Sequence, residues 1–410
     1  MSAKERYLSA SEAASALGVS MQTLYAYVSR GLIRSEAGHG RQRRYRADDV
    51  QRLLARKELR RSADLSVEDA LYWGAPLLDS ALTLIEEGQV YYRGRKVADL
   101  AAQHSFEEVA ALLWTGDPSQ AQALFQLADE RIINGRYETI LLHLEVDGLD
   151  LLPLHSLQSM LPLASLEDPS AYDLRATTVA QSGARILRLM GHSLVGEIAA
   201  DRNLADALQQ GWCPEDESAA TIFNCALIAC ADHELNASTF AARVAASTGA
   251  NPYAVVTAGL AALGGVKHGG YTERVESLFQ GVESPAQLRE SLTQRLRRGE
   301  DIPGFGHHLY PQGDPRAVLI LESLARSQAD KPAFALVQTA IEAAEQVIGE
   351  RPTLDFALAA LALTLGLPRG SALALFALGR TAGWIGHAIE QYAADRMIRP
   401  RARYSGELPH

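Results

Sequence analysis

A mainly α protein with a small basic head is what this sequence predicts, and three observations predict it. From about Tyr72 the chain becomes alanine- and leucine-rich with few β-branched runs, a composition that favours helix over strand. Apolar residues recur at helical spacing nearly to the C-terminus, without an internal repeat. The charge is divided: residues 1–62 hold 13 Lys+Arg against 6 Asp+Glu, a net of +7, and the remainder holds 26 against 43, a net of −17. A basic segment ahead of an acidic body directs the head, and not the body, toward a polyanion. At 410 residues, 47% hydrophobic and 21% charged, the chain can bury a large core and more than one domain.

The head reads as follows. Ala10, Ala13, Ala14 and Leu17 are spaced for one helical face, and Ser9 with Glu12 forms a capping box. Gly18 breaks that helix, Ser20 can cap a second, and Leu24, Tyr25 and Val28 supply its buried side. Gly31-Leu32-Ile33 ends it, Gly38-His39-Gly40 predicts a tight hairpin, and Arg41, Arg43, Arg44 and Arg46 follow with Tyr45 among them. A third helix is expected from about Asp48 to Arg61. Over roughly residues 7–60 this pattern resembles the winged helix-turn-helix of the MerR/excisionase type, and a head domain of 1–65 is expected. The resemblance implies a second helix in the major groove, with Ser20, Gln22, Thr23 and Tyr27 at bases or phosphates and Arg41, Arg43 and Arg44 at phosphates. A basic appendage that only assists oligomerisation is the alternative.

In the body, Asp79 to Gly94 alternates and turns like a short β-hairpin, and Ser105-Phe106-Glu107-Glu108-Val109 opens a helix with a capping signal. The most informative segment is Ile302-Pro303-Gly304-Phe305-Gly306-His307-His308-Leu309-Tyr310-Pro311-Gln312-Gly313-Asp314-Pro315-Arg316. Glycines allow close backbone approach and prolines stiffen turns, so such a loop can hold an imidazole beside a substrate and aim a guanidinium at its carboxylate. Ala231-Asp232-His233-Glu234-Leu235-Asn236-Ala237-Ser238-Thr239 is polar enough for a site, and it reads equally as a satisfied helix end. A zinc site there would need a second histidine where Ala237 stands. In Gly264-Gly265-Val266-Lys267-His268-Gly269-Gly270 the flanking glycines leave an imidazole open to a ligand; a helix-terminus loop with an incidental histidine is the plain reading. Asp355, in Thr353-Leu354-Asp355-Phe356, opens an apolar helix, where aspartate is also common as a cap.

The GFGH…Asp-Pro-Arg spacing, together with DSA…YRG…SFEEVA…LLWTG, ADHELNAST, KHGG with Glu273, LDF, GRTAGW over 379–384 and Arg399-Pro400-Arg401 with Tyr404-Ser405-Gly406, resembles the citrate synthase family from about residue 75 to 410. The resemblance implies a mainly α fold, with a large and a small helical domain around a cleft, and a small domain of roughly 265–370 within the 66–410 body. It further implies Asp355 as the base on an acetyl thioester, His268 as donor to the enolate oxygen and His307 as donor to the ketone oxygen of oxaloacetate. His233, Arg316, Arg380 and Arg399 are expected on the carboxylates, Arg399 from the second subunit of a homodimer. Oxaloacetate and an acyl-CoA are the expected substrates, with no metal and no cofactor.

Departures concentrate on the thioester side. Where the family usually has Arg-Val-Tyr-Lys after the histidine, this chain has His308-Leu309-Tyr310-Pro311; two cations expected near coenzyme A phosphates are lost, and Arg93, Lys96, Lys267 or Arg274 are the candidates to replace them. Tyr271-Thr272 replaces the usual Ala-Asn. A 2-methylcitrate synthase using propionyl-CoA, and a transcriptional regulator whose body senses a ligand without turnover, are the rival readings. Cys213, Cys225 and Cys230, odd in number and without C-x-x-C spacing, read as reduced intracellular thiols. The first residues lack the apolar run of a signal peptide, and the apolar stretch Phe356 to Leu365 is short of a bilayer span. A soluble cytoplasmic protein with no membrane contact is therefore expected.

Overall fold

The computed structural model describes residues 7–50 except 18, 20, 30–32, 38–42 and 48, then 78–129, and 151–407 except 197, 200 and 403. It divides into two compact units, Met1–Asp79 and Ser80–His410. The head boundary expected at 65 falls outside the described residues, and the segment 265–370 lies within the second unit.

In the head, β1 (Tyr7–Ser9) leads into α1 (Ala10–Leu17), followed by α2 (Met21–Ser29), β2 (Ser35–Ala37) and β3 (Arg43–Arg46). The expected capping box forms: the Ser9 N–H donates to Glu12 Oε2 at 2.7 Å and the Glu12 N–H to Ser9 Oγ at 3.2 Å. β3 pairs antiparallel with both other strands, Leu8 opposite Tyr45 and Ala37 opposite Arg43. Ala13, Ala14, Leu17, Leu24, Ile33, Tyr45 and Val50 make the head core. Tyr45 is thus a core residue inside the arginine run, because alternate residues of a strand face opposite sides. Arg43 and Arg44 are exposed. Ser20, Arg41, the 38–40 turn and nearly all of the expected third helix lie outside the described residues.

The body opens with a three-stranded antiparallel sheet, β4 (Thr83–Glu86), β5 (Gln89–Tyr92) and β6 (Arg95–Lys96), one short strand more than the expected hairpin. Helices follow: α3 (Val97–Gln103), α4 (Phe106–Thr115), α5 (Ala121–Asp129), α6 (Pro153–Ser165), α7 (Ala176–Val195), α8 (Leu204–Trp212) and α9 (Ala219–Cys230). Then come α10 (Ala237–Ser247), α11 (Pro252–Leu263), α12 (Tyr271–Glu276), α13 (Pro285–Arg297), α14 (Pro315–Gln328), α15 (Pro332–Ile348), α16 (Leu354–Leu365) and α17 (Ser371–Ala394). Ser105 caps α4 in a full capping box with Glu108, as its sequence predicts.

α17 is the axis of the body. Every residue from Ser371 to Ala388 is buried, and α4, α6, α7, α9, α10, α11 and α16 pack around it. A helix apolar on all sides belongs inside a large core. By length and composition α17 could cross a membrane, but 94% of its most apolar window is buried within the protein. This apolar run extends through Arg380 instead of stopping at it, because the guanidinium finds partners inside the fold.

Candidate active site

The first site element is the turn that follows α9. Close packing of α9 against α17 requires Gly379 and Gly383: a Cβ on Gly379 would lie 2.7 Å from the Cys230 Cβ, and one on Gly383 would collide with the Ala231 carbonyl and Asp232 Oδ1. The Tyr92 hydroxyl lies 3.0 Å from the Ile228 carbonyl and 3.1 Å from that of Asp232, and accepts the Asp232 N–H at 3.2 Å. The fully buried Asp232 carboxylate accepts from the Thr83 hydroxyl at 2.5 Å and lies 3.3 Å from His387 Nε2. Glu234 is held at φ 49°, a conformation that non-glycine residues adopt at a cost. Asn236 then caps α10, accepting from the Ser238 and Thr239 N–H groups at 3.1 Å each. His233 is therefore buried in a rigid turn ahead of the helix, and its ring is not used in capping.

The second element is the loop from Ile302 to Arg316. Phe305 bridges Pro352, the Gly306 N–H donates to Arg351 O and the Thr353 N–H to Gly304 O, both at 2.9 Å. This ties the loop to the start of α16. Gly304 and Gly306 have φ of 92° and 80°, values that glycine alone adopts without strain. Asp314 caps α14 with Pro315 in the first turn, the favoured order for a helix start. The same carboxylate takes a two-point contact from Arg316, Nε to Oδ1 at 2.9 Å and Nη2 to Oδ2 at 2.7 Å, and accepts the Leu354 N–H at 3.2 Å. One aspartate thus fixes two helix starts and one guanidinium.

Together these elements assemble the expected residues. The His233 and His307 rings meet edge-on at 5.9 Å between centroids, with Tyr310 4.9 Å from His307. The Tyr310 hydroxyl lies 2.7 Å from His233 Nε2, and Arg316 sits over the Tyr310 ring at 5.5 Å. His268, in the tight turn after α11, places Nε2 2.8 Å from Ser238 Oγ and packs edge-on against Phe376 at 5.9 Å. A Cβ on Gly270 would meet the Gly264 carbonyl at 2.6 Å, so glycine is required to close that turn. Arg380 lies over the Phe376 ring at 5.0 Å and donates Nε–H to the Cys230 carbonyl at 2.7 Å. Asp355 is the second residue of α16, and Thr353 occupies the cap. Its Oδ1 is buried without a hydrogen-bond partner among the described residues, as are Arg380 Nη2 and Thr239 Oγ1. Unpaired buried polar atoms are costly, and in one cluster they mark where a polar ligand docks.

Electrostatics separates the groups by task. Burial pushes the Asp355 carboxyl up to about 7, against the pull of Arg316. Burial, reinforced by Arg380 and Arg316, lowers His268 to about 4. His233 falls well below the ordinary imidazole value for the same reasons, and His307 falls through burial and Arg316. The three imidazoles are therefore neutral at physiological pH. The Leu309 N–H donates to His307 Nδ1 at 3.2 Å, so the His307 proton resides on Nε2. Asp314 raises the Arg316 guanidinium despite its burial, and burial lowers that of Arg380.

The family model "Citrate synthase, C-terminal domain" matches residues 71–401. The chain belongs to the citrate synthase family. Citrate synthase of Haloferax volcanii is 32% identical over 363 residues, covering 82% of this chain and 94% of its own. A 2-methylcitrate synthase of Mycobacterium tuberculosis is 31% identical over 333 residues, 77% and 84% of the two chains. The crystal structure of citrate synthase from Thermotoga maritima has the same fold, with a TM-score of 0.68 at 26% identity over 82% of this chain and 95% of that one. A "Helix-turn-helix domain" model matches residues 7–58. The body is thus an acyltransferase domain of the citrate synthase type, with a helix-turn-helix head.

Of the expected site residues, His233, His268, His307, Arg316, Asp355 and Arg380 converge within one chain. Arg399 does not: it is exposed in the tail beyond α17. Tyr310 and Ser238, at the centre of the cluster, were not expected there; the signals were a tyrosine three residues after His307 and a hydroxyl two after the Asn236 cap. On the thioester side, two Arg93 nitrogens are engaged by the Leu113 carbonyl, at 3.3 and 2.7 Å. Arg274 lies over the Tyr271 ring at 5.1 Å, and Lys267 is exposed. Lys96 lines a cavity of about 500 Å³ with Leu309, Pro311, Gln312 and Glu322, which meets the cluster at Tyr310 and Arg316. In the head, Thr23 and Tyr27 on α2 are half-buried, Tyr27 against the core, and Gln22 lies on the same helix.

Proposed function

We propose that the body condenses acetyl-CoA with oxaloacetate to give citrate and free CoA. One observation carries this reading: a buried, unpaired carboxyl near pH 7 stands with three neutral imidazoles and two arginines. A base with a pKa near the working pH is suited to carbon acids. Asp355 takes a proton from the acetyl methyl, and His268 donates to the thioester oxygen that gains charge. The Ser238 hydroxyl donates to Asn236 Oδ1 at 2.7 Å and holds the His268 ring through Nε2 at 2.8 Å. The enol carbon attacks the oxaloacetate ketone while His307 Nε2–H donates to the oxygen that becomes the hydroxyl. Water then cleaves the citryl thioester and releases the CoA thiol.

His233, Arg380 and Arg316 hold the oxaloacetate carboxylates, guanidinium pairing being suited to that task. Arg399, exposed in the tail, completes the site of a second copy, which makes a homodimer the working form. No metal or cofactor takes part. The test is thiol release from acetyl-CoA and from propionyl-CoA with oxaloacetate. Faster turnover of acetyl-CoA is expected; preference for propionyl-CoA makes the body a 2-methylcitrate synthase, and no release with either refutes the enzyme reading. One methylene is worth only about 1–3 kcal/mol in a pocket, so the two thioesters must be compared directly. The head, in this reading, binds DNA through α2 and the basic strand β3; a gel shift that oxaloacetate or citrate alters without any turnover would favour a ligand-sensing regulator instead.

A further inference from the structure

We propose that Tyr310 is a positioning residue that sets the tautomer of His233, so that His233 presents Nδ1–H to a substrate carboxylate. The inference rests on the oxaloacetate reading above. The Tyr310 side chain is 2% exposed, and His233 Nε2 at 2.7 Å is the hydrogen-bond partner of its hydroxyl among the described residues. A phenol carries one proton and two lone pairs. If it accepted from an Nε2–H, its own proton would be buried without an acceptor, at the cost of an unmade hydrogen bond. The hydroxyl therefore donates to Nε2. A neutral imidazole that accepts at one nitrogen holds its proton on the other, and the burial and flanking cations that lower His233 keep it neutral.

His233 Nδ1 is thereby the donor, and it has no hydrogen-bond partner among the described residues. Arg380, whose Nη2 is equally unpaired, acts on the same ring. Two open donors whose groups act on one another suit the two oxygens of a carboxylate. The Tyr310 ring also explains why the hydroxyl stays in place: it is held between His307 at 4.9 Å and the Arg316 guanidinium at 5.5 Å. His233, an oxaloacetate ligand in this reading, is thus oriented by the loop that carries His307.

Tyr310→Phe keeps the ring and removes only the hydroxyl. In full-length protein labelled with 15N-histidine and free of substrate, the wild-type His233 imidazole, assigned by its loss in His233→Asn, should give the Nδ1–H pattern of long-range 1H–15N correlations. In Tyr310→Phe that pattern should shift toward Nε2–H. The Kd for oxaloacetate by calorimetry should rise about 3- to 10-fold, the equivalent of one neutral hydrogen bond, with kcat and the KM for acetyl-CoA within about twofold of wild type. An Nε2–H pattern in the wild type overturns the proposal, as does unchanged or tighter oxaloacetate binding in the variant, which would make the hydroxyl idle or a competitor. A large fall in kcat with unaltered oxaloacetate affinity also overturns it. The spectra need no substrate, so absence of oxaloacetate binding by the wild type would count against the substrate reading and leave the tautomer measurement standing.

Discussion

Replacing Asp355 by asparagine should separate two properties of one buried carboxyl. The side chain keeps its shape and loses its charge. As the base it contributes proton abstraction, so turnover should fall by about 10²- to 10⁴-fold, while oxaloacetate affinity, held by His233, Arg316 and Arg380, changes little. Stability should move the other way, and with a defined pH dependence. The folded carboxyl sits at about 7 and the ordinary value is 3.8. The folded state therefore holds its proton where the unfolded chain has released it, and stability is lost as pH rises from about 4 through 7. At 1.36 kcal/mol per pH unit, the loss is at most about 4 kcal/mol by pH 8. Asparagine does not titrate, so the melting temperature of the variant minus that of wild type should be several °C more positive at pH 8 than at pH 5. Differential scanning calorimetry at the two pH values, paired with a thiol-release assay, reads both effects. Near-normal turnover would remove Asp355 as the base; an equal melting difference at pH 5 and pH 8 would show that the carboxyl does not titrate between them.

The two arginines should respond differently to Leu. Arg380→Leu removes a guanidinium with an unpaired nitrogen and should chiefly weaken oxaloacetate binding, read by calorimetry. Arg316→Leu should weaken binding and also destabilise the fold by about 3–5 kcal/mol, because Asp314 is left buried without its cation; a denaturant midpoint equal to wild type would contradict this. Gly383→Ala places a methyl against the Ala231 carbonyl and Asp232, and should cost about 1–3 kcal/mol or more, with a raised KM for oxaloacetate as the His233 turn shifts. In the head, Arg43→Ala and Arg44→Ala should each weaken DNA binding across sequences and reduce the log–log salt slope by about 1, measured by fluorescence anisotropy, with turnover of the body unchanged.

Local chemistry made much of this protein legible from its residues alone. The Ser9–Glu12 and Ser105–Glu108 capping boxes and the hairpin within Asp79 to Gly94 depend on neighbours within a few positions, and each forms where its pattern predicts it. The GFGH…Asp-Pro-Arg, KHGG, ADHELNAST, LDF and GRTAGW motifs identified six groups that converge, because motif spacing records what a short segment must hold. Other features arise only from tertiary packing. Asp355 reads equally well as a cap in the sequence, and burial beside Asp314 makes it a carboxyl near 7. The difference between a paired Arg316 and an open Arg380 lies in which carbonyl or carboxylate the fold brings close. Tyr310 meets His233 across 77 positions of chain, and Asp232 meets His387 across 155. Such pairings are set by how helices and loops are brought together around α17, and Gly379 and Gly383 set that distance. The sequence by itself determined which groups could do the chemistry; only the packed core decided their protonation, their partners and which nitrogen each imidazole leaves open, because burial and hydrogen bonding, not residue type, set those quantities.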